Sequence, residues 1–279
     1  MMSIRIGLRG TPSGFGSRLL GSVVIVFILG ASVCNAQQSD SAAKPQGKTK
    51  LEVDIDRSLE RYSVYVDGDT QAMKPVKVLT WNNPLAGGVG KFRTVLYLKD
   101  GQPKAVCCIW PGPNKKLYHE FGTLTRSPIV GKLDGKPSWE MGVDLIQFHP
   151  VPESDPPSTD RRRRLLQMKD LIRRFTAVET LSRKGEATRE QLRLLPTPLY
   201  RYEKASEQIT DGAVFCFAHT TDPEALVLLE AVPADGELRW QYTFIRRTTL
   251  PVTGYLDGND VWSTDRAGLA SFNQLPMSR

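Results

Sequence analysis

Histidine occurs only three times in the 279 residues, at His119, His149 and His219, and cysteine four times, at Cys34, Cys107, Cys108 and Cys216. No Cys-x-x-Cys pair or histidine spacing of the metal-binding kind is present, so neither a metal nor a cofactor is expected. A Gly-x-Ser-x-Gly elbow is missing too, which leaves a serine hydrolase nucleophile without sequence support. Dinucleotide and calcium-loop fingerprints are likewise absent. The glycine-bearing segment Ala86 to Lys91 lacks the first glycine of a phosphate loop, and Phe92 stands where Ser or Thr would bind magnesium.

Long apolar runs are confined to one place. Leu19 to Val33 follows Arg5, Arg9 and Arg18, and no acidic residue occurs before it. That order, with Cys34-Asn35-Ala36 before Gln37, reads as a signal peptide over residues 1–36 cleaved after Ala36. The chain is then exported, periplasmic or secreted, with no membrane span in the mature protein. An uncleaved N-terminal anchor is the alternative, although the run is short of the roughly 20 residues a spanning helix needs. Removing the three arginines leaves 34 basic against 30 acidic residues. Asp160 to Arg174, with seven basic and two acidic residues, accounts for more than that whole surplus, so no nucleic-acid-binding surface is expected. The three remaining cysteines are odd in number, so at least one thiol is free. Cys107 and Cys108 are adjacent in an expected strand and face opposite ways. Buried thiols are the simpler reading, and a bridge from Cys216 to one of them is the alternative.

What is present is a repeat. Pro128-Ile-Val-Gly131-Lys-Leu133-Asp134-Gly135-Lys-Pro-Ser-Trp139 returns as Pro251-Val-Thr-Gly254-Tyr-Leu256-Asp257-Gly258-Asn-Asp-Val-Trp262, with six of twelve positions identical. Phe121 and Thr125 align with Phe244 and Thr248 at the same spacing, and Pro103-Lys-Ala105 with Pro223-Glu-Ala225 after a shift of three. Pro84-Leu85 and Pro198-Leu199 form a weaker match. Repetition implies one structural element used twice.

The expected organisation places a flexible tether at residues 37–50, N-terminal strands at 51–75 and a first β-repeat at 76–149. A Pro-rich linker and Arg-rich helix follow at 150–191, then a second β-repeat at 192–263 and a flexible tail at 264–279. Strands are expected at Phe92–Leu98, Lys104–Trp110, Lys116–Thr123 and Ile129–Leu133, with Asp-Gly turns between some of them. Their counterparts are Ala213–Ala218, Ala225–Ala231, Leu238–Arg246 and Val252–Leu256. Several are apolar on both faces, so each must be covered twice. Leu165, Met168, Ile172 and Phe175 recur at helical spacing after a cap at Ser158, Thr159 or Asp160. The fold class is α+β, mainly β: two duplicated antiparallel β-meander units packed together and joined by one amphipathic helix.

Candidate chemistry is sparse. His119 and Glu120 are the most suggestive pair, but neighbours on a strand face opposite ways. Asp134 and Asp257 suggest paired glycosidase acids, although a turn explains them without chemistry. Trp139 and Trp262 suit sugar stacking or core anchoring, with the latter favoured. Arg161, Arg162, Arg163 and Arg164 are candidates for docking an acidic partner, against the simpler reading of a solvated face.

Trp81-Asn-Asn-Pro84-Leu85, His119-Glu120-Phe121 and Arg164-Leu165-Leu166-Gln167-Met168 carry a resemblance. So do Arg193 to Tyr202, Asp211 to Glu224 and Trp240-Gln241-Tyr242. In these tracts, spread over roughly residues 78–262, the chain resembles a group of exported proteins of planctomycete bacteria with no assigned activity. The resemblance implies export and a shared fold, and no functional residue follows from it. The leading expectation is a non-enzymatic β-rich binding or structural module with an envelope or extracellular partner. The alternative is a hydrolase acting on envelope polysaccharide in an inter-repeat cleft.

Overall fold

The computed structural model describes residues 48–82, 91–112, 116–142, 146–183, 186–206, 208–266 and 273–276. The expected signal peptide, almost all of the expected tether, Pro84-Leu85 and the glycines of the 86–91 segment lie outside them. In chain order the first elements are α1 (Lys50–Glu60), β1 (Tyr62–Val66), β2 (Lys74–Trp81), β3 (Phe92–Lys99), β4 (Gln102–Gly112) and β5 (Lys116–Thr123). Then come β6 (Ile129–Leu133), β7 (Lys136–Met141), β8 (His149–Pro150), α2 (Arg161–Leu171), β9 (Phe175–Arg183) and β10 (Glu186–Gln191). The last are β11 (Arg193–Leu194), β12 (Tyr200–Ser206), β13 (Ile209–His219), β14 (Asp222–Ala234), β15 (Glu237–Arg246), β16 (Val252–Leu256), β17 (Asn259–Thr264) and β18 (Asn273–Pro276). The protein is mostly strand, in several antiparallel sheets with two short α-helices among the described residues.

β2 to β5 form a meander, and β6 folds back with β7 to pair with β1. The same pairing order recurs: β13, β14 and β15 form a meander, and β16 and β17 fold back onto β9. Registers agree in detail. Tyr62 lies opposite Leu133, and Phe175 opposite Leu256. A bulge falls after Tyr97 in one meander and after Phe217 in the other, and a second after Gly131 and after Gly254.

Three apolar layers result. Ile55 of α1, Tyr62 and Val64 of β1, and Cys107 and Ile109 of β4 share the first core. Met168 of α2, Phe175 and Ala177 of β9, and Val227 and Leu229 of β14 share the second. Between them, Leu96 and Val106 of one meander meet Val214, Cys216, Leu226 and Leu228 of the other. The strands that read as apolar on both faces are thus covered on both, the outer faces by each other. Cys107, Cys108 and Cys216 are free thiols, all buried.

Three expectations are corrected. Residues 51–60 are helical rather than extended: Thr49 and Glu52 form a capping box, and Leu51, Ile55 and Leu59 make an apolar stripe at helical spacing. Val53, off that stripe, is exposed. A second helix, α1, which was not expected, stands before the strands; α1 packs on the first core and the expected α2 on the second. The tail is not wholly loose, because β18 pairs with β5, His119 lying opposite Asn273. It covers an edge whose backbone groups would otherwise need water, as β8 does on β15.

The repeated motif now has a physical account. Asp134 and Asp257 adopt positive φ (50° and 51°) in their Asp-Gly turns. Their amides donate to the Arg61 and Arg174 carbonyls, at 2.9 and 3.0 Å. Their carboxylates accept from the same arginines' guanidiniums, at 2.5 and 2.6 Å. Trp139 packs on Phe121 with centroids 4.5 Å apart, and Trp262 stacks on Phe244 at 5.3 Å. Gly131 lies opposite Trp139, and a Cβ there would sit 2.1 Å from the indole. Gly131→Ala is expected to cost about 1–3 kcal/mol in urea denaturation. Gly142→Ala, where a Cβ meets nothing within 4 Å, leaves the midpoint unchanged.

Candidate functional site

His119 and Glu120 are separated by the sheet that carries them. His119 lies opposite Ile109, whose side chain belongs to the first core, and Glu120 opposite Cys108, on the other face. His119 is fully buried, and its Nε2 lies 2.9 Å from the Ser58 hydroxyl of α1. Ser58 donates its proton to the Ile55 carbonyl at 2.7 Å. Nε2 is therefore the donor in the imidazole–hydroxyl bond, and the ring fastens α1 to β5. Tyr62 packs against it, with centroids 5.1 Å apart.

Glu120 faces the seam between the two meanders. Arg247 donates to its backbone carbonyl at 2.7 Å and approaches its carboxylate at 3.5 Å. Burial pushes the Glu120 carboxyl up to about 7 despite the neighbouring guanidinium. The pair that suggested an acid–base site thus shares no cleft. Asp134 and Asp257 are no glycosidase pair either: each is held at its own turn by its own arginine, which lowers its pKa.

The four arginines also part company. Arg164 is buried, donating from Nε to Asp211 at 2.7 Å and from Nη1 to the Ser158 and Thr159 carbonyls at 3.0 Å. Asp211 is fully buried and also accepts from Arg201, at 3.0 and 2.6 Å. Arg164 therefore fastens α2 to β13 and is not a docking residue. Arg161 reaches Glu203, while Arg162 and Arg163 are exposed beside Leu166, itself 61% exposed. The expected apolar stripe holds for Met168 and Ile172, both buried, with Phe175 already in β9; Leu165 is half-buried.

Two polar features lay beyond sequence reasoning. At one end of the second core, the Thr248 hydroxyl donates to Glu179 at 2.9 Å and His219 Nδ1 lies 3.5 Å from the same carboxylate. Glu190 approaches the other side of His219, at 3.9 Å, and Glu224 is buried nearby. Burial raises the carboxyl pKa of both Glu179 and Glu224, and for Glu224 the charges of Asp222 and Glu179 add to it. The second feature is an open cavity of about 580 Å³ where the β3–β4 turn meets the β1–β2 connector and β12. Asp69, Gln71, Lys74, Lys99, Asp100 and Tyr200 line it. Tyr200 crosses from the second half, its hydroxyl donating to the Gly101 carbonyl at 3.1 Å. The Asp100-Gly101 turn was legible as a turn; three segments so far apart in sequence gave no sign of a shared concavity.

Two outcomes follow from these buried charges. Asp211→Ala strands Arg164 and is expected to cost about 3–5 kcal/mol by urea denaturation. Glu120, Glu179, Glu224 and Glu230 all have carboxyls raised on folding by burial. The stability they contribute is present below the ordinary carboxylate range and is lost as pH rises through their folded values, near 7 for Glu120. The unfolding free energy from urea denaturation is expected to fall between pH 5 and pH 8, by about 2.5 kcal/mol for Glu120 alone. Glu224→Gln makes that fall shallower; an unchanged slope counts against the assignment.

Among the described residues, no group of three or more His, Cys, Asp or Glu side chains is placed to hold a metal ion, and no helix is long and apolar enough to cross a membrane. Comparisons with protein-family models, with curated proteins and with solved structures found no match.

Proposed function

We propose that the protein is an exported, non-enzymatic binding module of the cell envelope, built from a duplicated helix-and-meander half. The matched registers, bulges and arginine-held Asp-Gly turns support the duplication. The arginine-bearing leader with its apolar run supports export, as does the likeness to exported planctomycete proteins. One observation carries the binding reading: the concavity at the seam is built by both halves, with Tyr200 of one reaching over the turn of the other. The histidine and glutamate that favoured a hydrolase are instead committed to α1 and to Arg247. Arg162 and Arg163, exposed beside Arg161, supply a basic surface for an acidic envelope partner.

Crosslinking of the wild-type protein in its native envelope is expected to yield adducts with an envelope component. Arg162→Glu with Arg163→Glu is expected to deplete the adducts made through the basic surface while changing stability by no more than about 0.5 kcal/mol. Wild-type adducts confined to the chain itself would remove the envelope-module reading.

A further inference from the structure

Two connectors occupy equivalent places in the two halves and differ in length. The first leaves Val64 and returns at Met73, whose amide donates to the Val64 carbonyl at 2.7 Å. The second leaves Ala177 and returns at Leu192, with the matching bond at 2.8 Å. Residues 178–191 are six more than residues 65–72, and the extra length folds into the β9–β10 hairpin. Glu179 and Glu190 of that hairpin fill the space beside His219. Lys99 stands where His219 stands, each ending a strand before a residue of positive φ (Asp100 50°, Thr220 57°). The short connector sends Asp69 to Lys99, and the space it leaves is the cavity of about 580 Å³.

We propose that this cavity binds a neutral, polyhydroxylated ligand, a short saccharide segment, an assignment that rests on the binding-module reading. Its volume lies within the range of roughly 300–1,000 Å³ usual for small-molecule sites. Asp69 and Lys99 neutralise one another, and Lys74 and Asp100 contribute one charge of each sign. A lining without net charge gives no field to attract an anion or a cation. Thr70 and Gln71 both donate and accept, as do the hydroxyls of a sugar. Tyr200 provides a flat apolar wall, fixed by its bond to Gly101 and by stacking on Tyr202 at an interplanar angle of 16°. Lys74 and Asp100 are exposed, where an isolated ion pair contributes little, so a zwitterion gains little from them.

Amide chemical shifts of the full protein, titrated with cellotriose, maltotriose and chitotriose, test the assignment. At least one of these neutral sugars is expected to shift Gln71, Lys74, Asp100 and Gly101 saturably. Gln71→Ala with Lys74→Ala is expected to weaken that binding by about tenfold or more, the loss of two hydrogen-bonding side chains. The proposal is overturned when none of the three sugars shifts these amides, or when glycylglycine or trigalacturonate does so in their place. Wild-type envelope adducts that disappear in Gln71→Ala with Lys74→Ala, while no sugar binds, would sink the saccharide assignment and leave the module reading standing. Sugar binding without any envelope adduct would do the reverse.

Discussion

The fold depends on two sheets that are apolar on both faces. Ala105, Cys107 and Ile109 of β4 point into one core while Val106 points the other way; Val227 and Leu229 of β14 do the same against Leu226 and Leu228. Such a sheet cannot leave either face in water. Each inner face is closed by its own helix and by a three- or four-stranded flap, and the two outer faces close each other. A buried aliphatic side chain contributes about 1.5–3 kcal/mol, and the seam holds many of them. A buried ion pair at best roughly offsets its own desolvation, and the raised carboxyl of Glu120 beside Arg247 puts that pair on the costly side. The apolar seam therefore decides the packing, and the charges within it are tolerated because each has found a partner.

That hierarchy explains how the charged residues are disposed. Both helices are fastened at their N-terminal ends by a buried ion pair, with the signs exchanged. Glu52 of α1 accepts from Arg93 of β3 at 3.0 Å, whereas Arg164 of α2 donates to Asp211 of β13. The exchange leaves the docking of each helix intact, since what matters is that neither buried charge is left alone. The arginine run looked like a surface because four successive residues share one charge. At roughly 100° per residue a helix cannot present all four to solvent, and Arg164 is the one turned inward.

The sequence made the strands legible where two signals coincided: an apolar run with two faces, and an Asp-Gly turn at its end. Ile129–Leu133 and Val252–Leu256, each ending at an Asp-Gly turn, were placed to the residue, as was Lys116–Thr123 on its apolar pattern alone. It misled at α1, where Val53 and Ile55 alternate like a strand although Thr49, Glu52 and the Leu51–Ile55–Leu59 spacing specify a helix. β18 and β8 were invisible because a short edge strand is selected by the edge it covers rather than by its own residues. Of the candidate site, the motif aspartates were legible as turn residues, but Arg61 and Arg174 lie far from them in sequence. The cavity was not legible at all. It exists because one connector is shorter than the other, which no local pattern encodes.

On the duplicated reading, each half serves as a control for the other. What is shared, the turn aspartate with its arginine, the glycine paired across the strands with the tryptophan and the bulges, is what the fold requires. What differs is free to serve function. The first core places Tyr62, Tyr97, Cys107 and His119 where the second places Phe175, Phe217, Val227 and Tyr242. The Tyr62 and Tyr97 hydroxyls find no hydrogen-bond partner among the described residues, and a buried hydroxyl left so costs about 1–3 kcal/mol. Since phenylalanine builds the same core in the second half, the fold does not demand those hydroxyls. The same comparison singles out the short connector after β1, whose counterpart fills the space that it leaves open. Repetition therefore locates the scaffold, and the places where the two copies diverge are where a ligand has something to recognise.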